Sequence, residues 1–140
     1  MTESERSRTD SVVVNLTKNW PFSDNSFDGI FCTGTLHFFN KEELAKIFQK
    51  MDRVLKPGGK VILNVGTNIT RVMPNKEILV HPNEPQYELS DARDFLETSF
   101  REYDAQFFVE PPESFDYMDA NPPFTYTSSV LLMSAQKPQG

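Results

Sequence analysis

The chain has 140 residues, 38% of them hydrophobic, and carries a formal net charge of -6. This length suits one domain with a single small core. The 14 lysines and arginines are scattered along the chain, so the sequence argues against direct binding to nucleic acid or to an anionic membrane surface. No apolar run reaches the roughly 18 residues of a membrane span.

The first ten residues are polar and charged, which is not typical of a secretory signal, and we expect a flexible tail at 1–10. Cys32 is the only cysteine, so an intramolecular disulfide and a cysteine-based zinc site are excluded. Two histidines and scattered acids form no metal-ligand pattern, and we predict no metal. A lone thiol fits a reducing compartment, and we expect a cytoplasmic protein.

The first part of the chain predicts two short strands separated by a turn-rich segment. Residues 11–16 contain a β-branched run of three valines, which is typical of a buried strand. Residues 20–26 are rich in turn-forming side chains. Residues 27–33, FDGIFCT, predict the second strand.

The pattern over residues 40–55 predicts a helix. Asn40 can cap it, and Glu43 follows at the spacing of a capping box. Apolar side chains recur at helical spacing along one face. The Pro57-Gly58-Gly59 turn ends the helix, and residues 61–65 follow as a strand.

The second half predicts one more helix and two long strands. Residues 68–89 have weak periodicity and several prolines, which favours a long loop or lid. Ser90 can cap a helix over 91–100, and residues 103–110 and 125–136 predict strands. The alternation of strands and helices favours an α/β fold with a partly parallel sheet, and the last two strands favour an antiparallel hairpin.

Three stretches together resemble one family. PFSDNSFD at 21–28, LHFFN at 36–40 and RVLKPGGKVI at 53–62 resemble the fourth strand, the following loop and the fifth strand of class I S-adenosylmethionine-dependent methyltransferases. The nearest likeness is to small-molecule methyltransferases similar to quinone-biosynthesis enzymes. The resemblance implies a truncated Rossmann-like sheet over residues 11–137, a short tail at 138–140, and methyl transfer from S-adenosylmethionine to a small molecule.

The chain departs from that family at its cofactor loop. No G-x-G motif precedes Phe27, and by resemblance residues 11–16 open the third strand of the family. Residues 27–33 should then form an exposed edge strand carrying Ile30 and Phe31. Such an edge favours pairing with a strand of another chain. We expect a homodimer, a partner that supplies the other half, or direct pairing of 11–16 with 27–33. A non-catalytic methyltransferase-like subunit and a fragment of a longer methyltransferase are the alternative interpretations.

The resemblance also implies site residues. Asn15 stands where the family often has an acidic residue that contacts adenine, and Cys32, Thr33 and Gly34 match positions that line the methionine part of the cofactor. His37 is the candidate general base, because an imidazole can accept a proton near neutral pH. Strand packing, a glycine turn and substrate positioning are the alternative roles for these residues.

Overall fold

The computed structural model describes residues 2–140, which form a four-stranded sheet with the two longer helices packed on one face. The strands are β1 (Phe27–Cys32), β2 (Leu55–Val72), β3 (Asp104–Tyr117) and β4 (Phe124–Gln136). The helices are α1 (Glu3–Ser7), α2 (Lys41–Val54) and α3 (Leu89–Ser99), with a 3-10 helix at Leu36–Phe38. None of the helices in this part of the chain is long and apolar enough to cross a membrane.

The strand order is β1-β2-β4-β3. β1 pairs with β2 in parallel, and β4 pairs with both β2 and β3 in antiparallel fashion. This confirms the predicted α/β class, with its partly parallel sheet and C-terminal hairpin. β1 lies at one edge of the described sheet, as predicted, and β3 lies at the other.

Helix α2 forms as the sequence predicts. Asn40 Oδ1 accepts a hydrogen bond of 2.8 Å from the Glu43 backbone N–H, and Glu43 Oε1 accepts one of 3.1 Å from the Asn40 N–H. This capping box satisfies two backbone donors that the first turn cannot pair internally. The apolar stripe of α2 is buried, and its members are Leu44, Ile47, Phe48, Met51 and Val54.

The core lies between the helices and one face of the sheet. Val61, Leu63, Leu131 and Met133 are each 0% exposed, and they contact the buried stripe of α2 and the inner face of α3. The described residues therefore make two layers. Phe31, whose side chain points to the opposite face of β1, is 74% exposed.

Residues 11–16 are not a strand, so the prediction there is wrong. Val13 is fully exposed at 101%, and the segment runs as a loop towards α2. Arg53 holds the continuation of this loop, since its guanidinium donates to the carbonyl oxygens of Phe22 at 2.8 Å and Trp20 at 3.3 Å. Direct pairing of 11–16 with 27–33, one of the three arrangements that the sequence left open, is absent from the described sheet, and β1 keeps a free edge.

Strand β2 is longer at both ends than predicted. It starts directly after α2, and the glycine turn forms an irregularity inside it: Phe27 pairs with Leu55, whereas Gly29 pairs with Lys60. Gly58 has a φ of +78°, which suits glycine. At the other end, residues 68–72 continue the strand where a loop was predicted.

Two further boundaries differ from the prediction. Helix α3 begins at Leu89 with Glu88 as N-cap, not after Ser90. β3 continues through Pro111 and Pro112, because it is an edge strand and its pairing with β4 shifts register between Glu110 and Glu113. A short exposed helix, α1, lies within the segment where we expect a flexible tail.

Candidate functional site

The carboxyl end of β1 is held in place by a hydrogen bond to β2. The backbone N–H of Gly34 donates to Asn64 Oδ1 at 2.9 Å, and Gly34 has a φ of +67°. Leu36, two residues later, is fully buried and anchors the 3-10 helix. In open parallel sheets ligands gather beyond the carboxyl ends of the strands, so this is the expected position of a binding site.

His37 projects from that 3-10 helix towards β2. Gly66 faces it, and a Cβ built on Gly66 would lie 3.6 Å from His37 Cγ, an ordinary contact distance, so the imidazole packs close to the β2 backbone. Burial lowers the pKa of His37 below its ordinary value, while the charges of Glu84 and Arg71 act in opposite directions. The ring is therefore neutral at neutral pH and able to accept a proton.

A buried ion pair lies beside this histidine. Arg71 Nη1 and Nη2 donate to the two carboxylate oxygens of Glu84 at 3.1 and 3.0 Å, and the two side chains are only 9% and 4% exposed. The guanidinium also stacks over Tyr126, 5.3 Å from the ring centre. Sequence analysis missed this pair, because Arg71 and Glu84 both fall in the segment predicted as a loop.

The pair fastens the loop 73–88 to the sheet. Further contacts hold its middle and its C-terminal end: Leu79 N–H donates to the Arg71 carbonyl at 2.8 Å, and the Tyr87 hydroxyl donates to the Phe39 carbonyl at 2.6 Å. Burial raises the pKa of Tyr87 to about 12, with smaller contributions from the acids nearby. The loop is thus tied both to β2 and to the residues that follow β1.

The predicted cofactor residues fall in two places. Thr33 and Gly34 are exposed at the end of β1, and a Cβ on Gly34 would meet no atom within 4 Å. Cys32 instead packs against the core, and burial raises the pKa of its thiol. Asn15 lies in the loop before β1, where its Oδ1 accepts hydrogen bonds from the N–H and hydroxyl of Thr17 at 3.0 and 2.8 Å.

These positions fit only part of an S-adenosylmethionine site. The exposed backbone at Thr33 and Gly34 offers an open surface for a ligand, with His37 close behind it in sequence. The carboxamide oxygen of Asn15 accepts both hydrogen bonds from Thr17, so only its amino group is left for the predicted contact with adenine. Of the predicted cofactor residues, Thr33 and Gly34 are therefore the ones left most open to a ligand.

Two open cavities adjoin the loop 73–88. One, of 240 Å³, is lined by Phe38 and by residues 81–84. The other, of 310 Å³, lies between residues 79–82 and the turn that joins β3 to β4. Both are bordered by His81 and Pro82, so this corner of the loop separates them.

Sequence comparison finds a similarity to methyltransferases in the first part of the chain. Residues 1–63 match the family profile described as Methyltransferase domain. Probable tRNA methyltransferase 9B of Mus musculus is 38% identical over 66 residues, which cover 46% of this chain and 15% of that protein. The human protein of the same name is 35% identical over the same length. The matched region is thus a small part of these relatives.

Structural comparison extends the likeness to almost the whole chain. A candidate methyltransferase from Bacillus halodurans C-125 superposes with a TM-score of 0.64 at 15% identity, covering 94% of this chain and 78% of its own. A SAM-dependent methyltransferase from Methanosarcina mazei gives 0.53 at 17% identity, covering 92% and 67%. At such identities the likeness concerns the fold. Residues 1–63 are thus similar in sequence to a methyltransferase domain, and the described residues share the fold of SAM-dependent methyltransferases.

Proposed function

We propose that this chain takes part in methyl transfer from S-adenosylmethionine to a small molecule, with a second polypeptide segment completing the cofactor site along β1. The observation that carries the proposal is the organised carboxyl end of β1. There the Gly34 N–H is bonded to Asn64 of β2, and the neutral His37 lies against Gly66 of the same strand. His37 would accept a proton from the substrate or position it.

The open edge supports the second half of the proposal. β1 is paired on one side only, and Phe31 on it is 74% exposed. Unpaired strands with apolar side chains readily add another strand. The segment along this edge would come from a second copy of the chain or from a partner methyltransferase subunit. In the latter case the chain could also serve as a non-catalytic, stabilising subunit.

A small molecule is the proposed acceptor because the chain itself is acidic. A net charge of -6 does not favour the phosphate contacts that dominate nucleic-acid binding. The same composition underlies our proposal that the chain binds neither nucleic acid nor membrane on its own. A single cysteine, held as a thiol by burial, fits a cytoplasmic location.

Transfer RNA is the second candidate substrate. It is favoured by one observation, the 38% identity to Probable tRNA methyltransferase 9B over 66 residues. The chain spans about one seventh of that relative, so basic surfaces for RNA would have to come from outside the described residues. The fold alone does not choose between substrates, since the [4+2]-cyclase SpnF shares it with a TM-score of 0.56.

Calorimetric titration with S-adenosylmethionine tests the cofactor proposal. It is made with the chain alone at several concentrations, and with the oligomeric state measured in parallel by light scattering. We expect binding that strengthens as the chain associates. Phe31→Lys, which places a charge on the open edge, should weaken both association and binding. Cofactor binding by a monomer with unchanged affinity in Phe31→Lys would contradict the role of the edge.

A transfer assay then separates the two substrates. Methyl-labelled S-adenosylmethionine is incubated with the associated protein and either total tRNA or a small-molecule extract, and the label is followed in each fraction. Label in the small-molecule fraction supports the main proposal, and label in tRNA supports the second. If the associated protein binds cofactor but labels neither fraction, the subunit interpretation is favoured.

A further inference from the structure

Phe38 is an exposed aromatic side chain on a rigid support. It is 55% exposed, although Leu36 on one side is fully buried and the Phe39 carbonyl on the other accepts the Tyr87 hydroxyl. The His37 ring lies against it, with ring centres 4.0 Å apart. Phe38 therefore presents an apolar ring to solvent directly beside His37.

A second wall faces Phe38 across the 240 Å³ cavity. It consists of His81, Pro82 and Asn83, and it is fixed because the next residue, Glu84, is bonded to Arg71 through both carboxylate oxygens. The pair balances its own charge, so the cavity presents no net charge to a ligand. The volume lies just below the roughly 300 Å³ at which drug-sized pockets begin, and it suits one or two rings.

The polar side chains of this wall are free to bind. Within residues 2–140 the side chains of His81 and Asn83 make no hydrogen bond, and both are exposed. A carboxamide has donors on one side and an acceptor on the other, which matches the polar edge of a heteroaromatic ring. The face of such a ring can stack on an aromatic side chain.

We infer that the cavity between Phe38 and residues 81–83 binds a planar, uncharged heteroaromatic ring, stacked on Phe38 and read at its edge by Asn83 and His81. This rests on the proposed function, since the ring would belong to the methyl acceptor and lie next to His37. The ring can come from a free small molecule or from a base turned out of a tRNA. Stacking on an aromatic side chain is sequence-tolerant and suits either source.

Protein-observed NMR tests the inference without the cofactor. The isotope-labelled chain is titrated with each of the four ribonucleosides and with phenol, and backbone amide shifts are followed. We expect saturable shifts at Phe38 and Asn83 with at least one nucleoside. Phe38→Ala should weaken that binding about 5-fold or more, since base stacking contributes about 1–3 kcal/mol. Phe38→Tyr should keep it.

Two controls make the result specific. Phe115→Ala removes an aromatic side chain of similar exposure, 51%, from β3 and should leave the affinity unchanged. Asn83→Ala should weaken nucleoside binding more than phenol binding. Absence of saturable shifts with every ring, or equal losses in Phe38→Ala and Phe115→Ala, overturns the inference whether or not the protein binds S-adenosylmethionine.

Total tRNA as a further titrant distinguishes the two sources of the ring. Affinity for tRNA at least 10-fold above that for the nucleosides, lost in Phe38→Ala, assigns the site to a base within RNA. Nucleoside binding with no gain for tRNA assigns it to a free small molecule.

Discussion

The two halves of strand β2 are stabilised in different ways. Residues 55–67 lie beneath the helices, and Val61 and Leu63 are completely buried among apolar side chains. Beyond a register shift between Thr67 and Thr70, burial still alternates, but one of the buried side chains is Arg71. The first half is stabilised by the burial of apolar side chains away from water. The second half is stabilised by a buried charge pair, which is favourable only when both partners are present.

Glu84→Gln should be the most damaging change to the second half. It keeps the shape of the side chain but leaves the Arg71 guanidinium buried without its counter-ion, and removal of one partner of a buried pair costs about 3–5 kcal/mol. Urea unfolding followed by circular dichroism measures the loss. Hydrogen exchange should show the largest loss of protection in residues 73–88.

The matched control is Glu97→Gln, because Glu97 pairs with Arg93 at the surface, where both side chains are about half exposed. An exposed pair of this kind contributes about 0.5 kcal/mol or less. The double variant Arg71→Met with Glu84→Leu should recover most of the stability, since neither charge is then buried. If Glu84→Gln proves as mild as Glu97→Gln, the second half of β2 does not depend on the pair.

Leu63→Ala is the corresponding change in the first half. Leu63 is 0% exposed, and truncation of a buried leucine costs about 2–5 kcal/mol, depending on how far the cavity collapses. Urea unfolding again measures the loss of stability. Ile62→Ala, at the next position and on the uncovered face, should cost less because Ile62 is only half-buried. Equal losses at the two positions would mean that the uncovered face is buried in solution, for example by a second copy.

The sequence predicts the first half of β2 well because its pattern is local. The capping box at Asn40, the apolar stripe of α2 and residues 61–65 are all read from neighbouring positions, and the structure confirms them. The sequence does not predict the second half as a strand, because an arginine among turn-forming residues is not typical of a strand pattern. Its burial depends on Glu84, 13 residues away, and no periodic pattern links the two.

At residues 11–16 the sequence predicts a strand where the structure has a loop. Three valines in a row are typical of a strand, but a strand needs a neighbour, and in the structure Val13 is fully exposed. Of the predicted site residues, Thr33, Gly34 and His37 do lie together at the carboxyl end of β1. They do so because they follow β1 closely in the chain and β1 is paired with β2. The position of Asn15 in the family resemblance depends on a strand that does not form, and its role as a cofactor contact stays a prediction.

His37 lies at the junction of the two halves, and its pH dependence gives the smallest expected effect. Burial lowers its pKa in the folded chain, so between the ordinary value of about 6.5 and that lower pKa the unfolded chain binds more protons. Stability should therefore be full above pH 6.5 and fall as the pH drops through this window. His37→Gln should remove that part of the slope, as measured by urea unfolding from pH 7.5 to 5. Parallel curves for the two proteins would mean that the imidazole is hydrated in solution and not buried against β2 as the structure has it.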